Sequence, residues 1–375
     1  MTPQTWMERA LSLARSSQHS TAPNPAVGAV LVQNGQIIGE GFHRGPGTGH
    51  AEACALDDAV AKGHTPRGAT LYVTLEPCCH SGPGKRTPPC AQRLIVEGIK
   101  EVWAACPDPN PLVSGRGREL LLQAGIAFHW GPLEDQAHEL ISDFAAWIGP
   151  RRPFITLKWA QSLNAIVSRK PTESPWITGP SARTEAHRLR AMHDTIAVGA
   201  GTVRRDNPTL SVRGVDAPGG QPRRLIFAGT QLLAPSARVF ADDPDGLTWV
   251  VAAPQSPAGR QASSLVGNRI VAWDGVDLAE LGHSLLGAGF YRILVEGGPA
   301  LLSTFLRGSF WDRTAVFVAP KFLEPYGDSP LAVEQDWVNP QWTTCSPDTL
   351  LTAWNPQSPS FLSQMKNQEA VCSPA

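Results

Sequence analysis

The chain has 375 residues, which at roughly 150 residues per domain corresponds to two or three domains. With 42% hydrophobic and 17% charged residues it has globular composition, not that of a disordered chain. Lys+Arg 32 against Asp+Glu 33 leaves a formal charge of -1, which argues against a basic nucleic-acid binder, and no apolar run reaches the ~18 residues of a membrane span.

Residues 5–16 place Trp6, Ala10, Leu11, Leu13 and Ala14 at helical spacing. Glu8 and Arg9 interrupt the apolar core an export signal needs, which points to the cytoplasm, where thiols stay reduced. Ala22-Pro23-Asn24-Pro25 cannot continue a helix. Two short apolar runs, 27–32 and 36–41, flank Asn34-Gly35 and predict a hairpin. Helices follow at 51–61, 91–97 and 118–124, with strands at 69–75, 101–105 and 126–130. Residues 133–148 predict one long amphipathic helix, and Gly149-Pro150-Arg151-Arg152-Pro153 a linker. Beyond it come strands at 154–160, 195–198, 224–227, 248–252 and 292–295, and helices at 181–192 and 300–306. Gly199-Ala200-Gly201-Thr202 reads as a tight turn and 214–222 as a surface loop. No internal repeat is present. The alternation predicts α/β layers in two domains, 1–148 and 153–352, with 353–375 a mobile tail.

Seven cysteines cannot all pair, and Cys54, Cys78, Cys79, Cys90 and Cys106 crowd the first third. In a reducing compartment such crowding points to a metal or to catalysis. His50-Ala51-Glu52, Pro77-Cys78 and Pro89-Cys90 supply one His and two Cys for zinc, with a fourth position left for water. Hydrolytic deamination also needs a carboxylate that is not a ligand, and Glu52 suits that role. His50 and Cys78 are expected at helix starts, where the thiolate is favoured. Cys79 and His80 are alternative ligands, but Cys78 directly after Glu76-Pro77 fits better. A structural zinc site is the bland alternative. Cys54 and Cys106 read as small core residues, and His43 and His64 as surface histidines. The second half has no Gly-x-Gly-x-x-Gly after a strand. Glu296-Gly297-Gly298-Pro299 between strand and helix suits a phosphate, and Arg183, Arg188, Arg190, Arg204, Arg205 and Arg213 suit phosphorylated ligands. Taken singly, any of these arginines reads as part of a solvated face.

Pro23-Asn24-Pro25-Ala26-Val27-Gly28, His50-Ala51-Glu52, Thr74-Leu75-Glu76-Pro77-Cys78, Arg86-Thr87-Pro88-Pro89-Cys90 and Asp108-Pro109-Asn110-Pro111 together resemble the bifunctional riboflavin-biosynthesis deaminase–reductases. The Thr-Pro-Pro-Cys loop separates that family from cytidine and tRNA adenosine deaminases. The resemblance spans about residues 5–352 and includes Trp176-Ile177-Thr178, the run 187–194, Glu296-Gly297-Gly298-Pro299 and Pro320-Lys321. It implies a cytidine-deaminase-like three-layer α/β domain followed by a dihydrofolate-reductase-like α/β domain. The implied reactions are zinc-dependent deamination of a diaminopyrimidinone ribotide, then NADPH-dependent reduction of its ribosyl group to ribityl. Catalytic Glu52, zinc ligands His50, Cys78 and Cys90, and a substrate-orienting Asn24 follow for the first. For the second, Lys158, Ser174, Arg190, Leu210, Arg213 and Glu296 are implied at the substrate. Ala160, Trp176, Thr202, Asp206, Gly229, Gly298, Pro299, Ala300, Leu301, Leu302, Ser303 and Thr304 are implied at NADPH. Lys158, Asp206 and Glu296 are alternatives for positioning the opened sugar or relaying a proton.

Two departures stand out. The loop between the cysteines is longer than the family's, with the insertion expected at 82–85. Ser162-Leu163-Asn164-Ala165-Ile166 replaces the family's Ser-Leu-Asp-Gly-Lys, and Ala enters the left-handed region less readily than Gly. The alternative is therefore a deaminase whose second domain is degenerate or repurposed. An RNA-editing deaminase with a nucleic-acid-binding second domain is disfavoured by the near-zero charge. The expected partner is a small molecule, not nucleic acid or membrane. The family admits homo-oligomers, dimers or tetramers, and the sequence leaves the number open.

Overall fold

A computed structural model describes residues 2–80, 88–170, 172–174, 176–326 and 334–358. The chain divides between Pro150 and Arg151 into two compact units, each built on its own sheet. The first unit runs α1 (Pro3–Arg15), β1 (Gly28–Gln33), β2 (Gln36–Phe42), α2 (Ala51–Ala61), β3 (Thr70–Val73), α3 (Cys90–Glu97), β4 (Glu101–Ala104), α4 (Arg116–Gln123), β5 (Ala127–Trp130), α5 (Glu134–Leu140) and α6 (Ser142–Ile148). Its sheet has the order β2-β1-β3-β4-β5. β1 is antiparallel to both neighbours, and β3 to β5 are parallel. Asn34 (φ 53°) and Gly35 (φ 73°) close the β1–β2 hairpin with two left-handed residues, the type I′ pattern that matches strand twist.

Two glycines set the layers of this unit. A Cβ on Gly28 would stand 2.0 Å from the Ala10 carbonyl of α1, and one on Gly41 would stand 2.4 Å from the Ala51 carbonyl of α2. Gly41 pairs with Ala29, one residue on from Gly28, so the two glycines point to opposite faces. α1 and α2 therefore press directly on the sheet from either side, and the start of α2 is fixed over β2.

The second unit runs β6 (Phe154–Ser162), α7 (Pro180–Ala191), β7 (Thr195–Gly199), α8 (Ala200–Asp206), β8 (Arg223–Gly229), α9 (Arg238–Ala241), β9 (Thr248–Ala252), α10 (Pro257–Val266), β10 (Ile270–Ala272), α11 (Leu278–Gly287), β11 (Arg292–Val295), α12 (Pro299–Arg307), β12 (Arg313–Ala319), β13 (Val338–Cys345) and β14 (Asp348–Trp354). The sheet order is β10-β9-β8-β7-β11-β6-β12-β14-β13. Strands β10 to β12 of that order are parallel, and the β13–β14 hairpin adds an antiparallel edge. Ile155, Leu157 and Trp159 pack with Leu281, Leu285, Leu302 and Phe305 of α11 and α12 in one core. Val198, Ile226 and Val250 pack with Val203, Val239 and Ala262 of α8, α9 and α10 in another. α7 covers Ala160, Ala315 and Phe317. Helices thus lie on both faces, as a parallel sheet requires.

Several expectations need correction. The single helix at 133–148 is two helices broken at Ile141 (φ −105°), because residues 142–147 are all buried, whereas α5 buries only part of its surface. The turn at 199–202 is the start of α8, with Gly199 extended at its N-cap and Val203 in the core. Cys78 does not begin a helix; Cys90 does. The tail does not begin at 353: Trp354 ends β14, and Asn355 and Ser358 are buried against Asp312. Residues 359–375 and the insertion at 82–85 lie outside the described residues.

Candidate functional site

In the first unit, three elements converge on one point. His50 is the N-cap of α2, with extended dihedrals that turn its side chain away from the helix. Cys90 opens α3, and Cys78 precedes it across a loop tied by the Ala91 N–H donating to the Cys78 carbonyl at 3.1 Å. His50 Nδ1 lies 3.5 Å from Cys78 Sγ and 3.3 Å from Cys90 Sγ, and the three donor atoms lie within 4.8 Å of one another. Tetrahedral zinc with bonds of ~2.0–2.3 Å spaces its donors about 3.5 Å apart, which the two His–Cys distances match. Among the described residues no other cluster of metal-ligating groups forms, and Cys79 and His80 stand outside this one.

The electrostatics point the same way. Glu52, two residues after His50 in the first turn of α2, is buried. The neighbouring Cys78, then burial, push the Cys90 thiol well up, while burial and then Cys78 push the Glu52 carboxyl up. Three acidic groups in one buried space repel as anions, and a divalent cation relieves that repulsion. Glu76 anchors the Cys78 loop: its carboxylate accepts from the Gly115 and Arg118 N–H groups at 2.9 and 3.0 Å.

Asn24 sits beside this cluster through a residue that sequence reasoning missed. His43, expected on the surface, is buried with 3% exposure. Its Nδ1 lies 3.0 Å from the Gly49 carbonyl, which only a donor can serve, so Nε2 accepts from Asn24 Nδ2 at 3.0 Å. Asn24 then has Oδ1 left for another partner. The His43 and His50 rings meet edge to face at 5.6 Å. Nothing in Gly41-Phe42-His43-Arg44 signals burial; the clue is that β2 ends under α2. His64 is exposed, Cys106 is buried and Cys54 is half-buried.

In the second unit, the implied residues gather at the carboxyl ends of parallel strands, where open α/β sheets bind ligands. Val295 pairs with Leu157, so the next residues, Glu296 and Lys158, stand level on adjacent strands, 3.6 Å apart as an ion pair. Arg190 of α7 completes the group with a bidentate contact to Glu296, Nε to Oε1 at 2.7 Å and Nη2 to Oε2 at 2.8 Å. Burial raises the Glu296 carboxyl, but Arg190 and Lys158 outweigh it and bring it down to about 2. Thr202 Oγ1 accepts from the Gly298 N–H at 3.1 Å, joining α8 to the start of α12. Gly229 ends β8 in the left-handed region (φ 59°), and Ala160 lies near the end of β6. Trp176 is exposed, with the Arg183 guanidinium 4.8 Å over its ring, and the exposed Ser174 Oγ accepts from the Trp176 N–H at 3.4 Å.

Other residues stand apart. Asp206, exposed at the end of α8, pairs with Arg205 at 3.2 Å and not with Lys158 or Glu296. The Leu210 and Leu302 side chains are in the cores, so only their backbones can face a ligand. Of the remaining α12 residues, Ala300 and Thr304 are exposed and Pro299, Leu301 and Ser303 are half-buried. Ala165, at the position of the glycine in the family's sequence, adopts φ 59°, in the left-handed region that glycine enters most readily. The turn is closed by Ser162 Oγ donating to Asn164 Oδ1 at 2.7 Å, and by Asn164 Nδ2 donating to the Leu323 carbonyl at 2.8 Å.

Comparison with known proteins covers both units. Residues 1–106 match the cytidine and deoxycytidylate deaminase zinc-binding region, and residues 153–346 match the RibD C-terminal domain. The riboflavin biosynthesis protein RibD of Aquifex aeolicus is 41% identical over 318 residues, 85% of this chain and 87% of that protein. That of Escherichia coli K12 is 36% identical over 335 residues, 86% of this chain and 89% of that protein. The solved structure of Acinetobacter baumannii RibD superposes with a TM-score of 0.79 at 34% identity, covering 94% of this chain and 98% of that one. Because the match runs through the second unit, a deaminase with a degenerate or repurposed second domain is not favoured.

Proposed function

The chain belongs to the bifunctional riboflavin-biosynthesis deaminase–reductase family, and from that premise we propose which of its residues carry the two reactions. The protein is a zinc deaminase and an NADPH-dependent reductase. It hydrolyses the amine from the diaminopyrimidinone ribotide, and then reduces the ribosyl group to ribityl.

His50, Cys78 and Cys90 hold zinc, which when bound supplies Lewis-acid activation of water. The observation that carries this assignment is the approach of these three donor atoms to within 4.8 Å beside the buried Glu52. Glu52, buried beside the three ligands, moves two protons in turn: it takes one from the attacking water and gives it to the ring nitrogen, then takes the second from the same oxygen and gives it to the departing ammonia. Asn24, its amide fixed by one N–H donating to His43, offers Oδ1 and its second N–H to the substrate.

For the second reaction, the start of α12 with Thr202, Ala160, Trp176, Asp206 and Gly229 binds NADPH, which supplies the hydride. Arg190, Arg213, Ser174 and the Leu210 backbone bind the ribotide, the arginines at its phosphate. Lys158, oriented by Glu296, gives a proton to the sugar oxygen as the ring opens. We infer a cytoplasmic setting, since the zinc thiolates must stay reduced. We also infer a homo-oligomer from the resemblance alone, which light scattering decides.

The test follows ammonia release and NADPH absorbance in one sample supplied with the diaminopyrimidinone ribotide. Both signals are expected, and a zinc chelator abolishes both. E52Q is expected to lose ammonia release by about 10²–10⁴-fold with zinc content unchanged. When the deaminated ribotide is supplied directly, E52Q oxidises NADPH at the wild-type rate. Undiminished ammonia release by E52Q would remove Glu52 from its role.

A further inference from the structure

Residues 207–213 follow α8 in irregular backbone and join no strand of the sheet. Two of them, Asn207 (φ 40°) and Leu210 (φ 52°), hold the left-handed region without being glycine, a local strain the surroundings must offset. The segment's last backbone groups are taken by side chains instead of a ladder. The Ser211 carbonyl accepts from Arg190 Nη1 at 2.9 Å. Gln221 reads both groups of Val212, accepting its N–H at 2.8 Å and donating to its carbonyl at 3.1 Å. The Arg213 N–H donates to His187 Nδ1 at 3.2 Å. Leu210 and Val212 are buried, Ser211 is half-buried and Arg213 is exposed.

We propose that His187 and Gln221 are positioning residues that aim Arg213 at the ribotide phosphate. His187 lies one turn before Arg190 on α7, so one helix grips the segment at 211 and 213, while Gln221 grips 212 from the far end of the 214–222 loop. A guanidinium on a free loop loses backbone freedom when it binds phosphate. One whose backbone is already fixed loses less, and the difference goes into affinity. Burial, then Arg190 and Arg213, hold the His187 imidazole below its usual range, which leaves Nδ1 free to accept. The proposal rests on the reading of Arg213 as a phosphate ligand.

The test measures reductase kinetics with the deaminated ribotide for H187A, H187N, Q221L and R213A, and for the double variant H187A/R213A. NADPH affinity, read by fluorescence, reports that the second unit is folded. H187A, which loses one hydrogen bond, is expected to raise the ribotide KM about tenfold, and Q221L, which loses two, at least as much, with kcat and NADPH affinity little changed. H187N, whose Oδ1 stands near the position of Nδ1, recovers most of the loss. The double variant is no worse than R213A, because His187 acts through Arg213. If R213A raises KM but H187A and Q221L do not, or if the double variant is additive, the clamp is refuted and the phosphate reading stands. If R213A leaves KM unchanged, the phosphate reading itself fails.

Discussion

Ala165 shows how one residue can keep a conformation that its chemistry opposes. Its Cβ makes φ 59° costly, by roughly 1 kcal/mol, yet the turn persists because Asn164 bridges Ser162 and Leu323. A165G relieves the strain and adds backbone entropy to the unfolded chain, so the gain is partial. We expect A165G to stabilise the second unit by about 0.5 kcal/mol, read as a higher urea midpoint. A lower midpoint would mean that the methyl group makes a compensating contact. The difficulty at position 165 was legible in the sequence, because the turn chemistry is local. The role of His43 was not, since its partners Asn24 and Gly49 meet it only once β2 has docked under α2.

At the scale of elements, α7 matters most to the second site, and one half-buried histidine ties it to the sheet. His193, just past the helix, meets the Leu189 carbonyl with Nδ1 at 2.7 Å and Thr156 Oγ1 of β6 with Nε2 at 2.9 Å. Burial depresses it to about 4, against 6.5 in the unfolded chain. The unfolded state therefore binds the extra proton first as pH falls below 6.5. The stability present above that value is lost down to pH 4 and constant below it. Between pH 7 and pH 5 the second unit is expected to lose about 2 kcal/mol from this residue. H193Q should flatten that part of the pH dependence of the urea midpoint, and an unchanged slope would assign it to other groups. Strands β6 to β9 and β11 were readable from short apolar runs. The helices α10 and α11 and the β13–β14 hairpin were not: the buried face of α10 is largely Ala and Gly, that of α11 is only Leu281, Gly282 and Leu285, and β13 is largely exposed.

At the scale of the molecule, the segment 149–153 is less a free linker than its prolines and glycine suggest. Arg152 is buried and pairs with Asp312, Nη1 to Oδ2 at 2.6 Å and Nη2 to Oδ1 at 2.8 Å. Asp312 also accepts from the Ile155 N–H at 2.9 Å and from Ser358 Oγ at 2.7 Å. One carboxylate therefore joins the start of β6, the start of β12 and the segment after β14. D312A leaves the Arg152 charge buried without its partner, so we expect a loss of about 3–5 kcal/mol from the second unit. Thermal unfolding measures it, and a change within experimental error would mean that water enters and solvates Arg152.

The sequence by itself determined the chemistry of the chain. The His-x-Glu and Pro-Cys motifs, the alternation of strands and helices, and the matching stretches of both halves are local patterns, and each survives being read one residue at a time. Only the tertiary structure decided which groups meet. Lys158, Arg190 and Glu296 come from three separate elements, and register on adjacent strands plus the lie of α7 bring them together. The same holds for His43 with Asn24, and for His187 and Gln221 with the segment before Arg213. Such contacts depend on how helices seat on a sheet, and that seating is set by the packing of whole faces and not by neighbours in the chain.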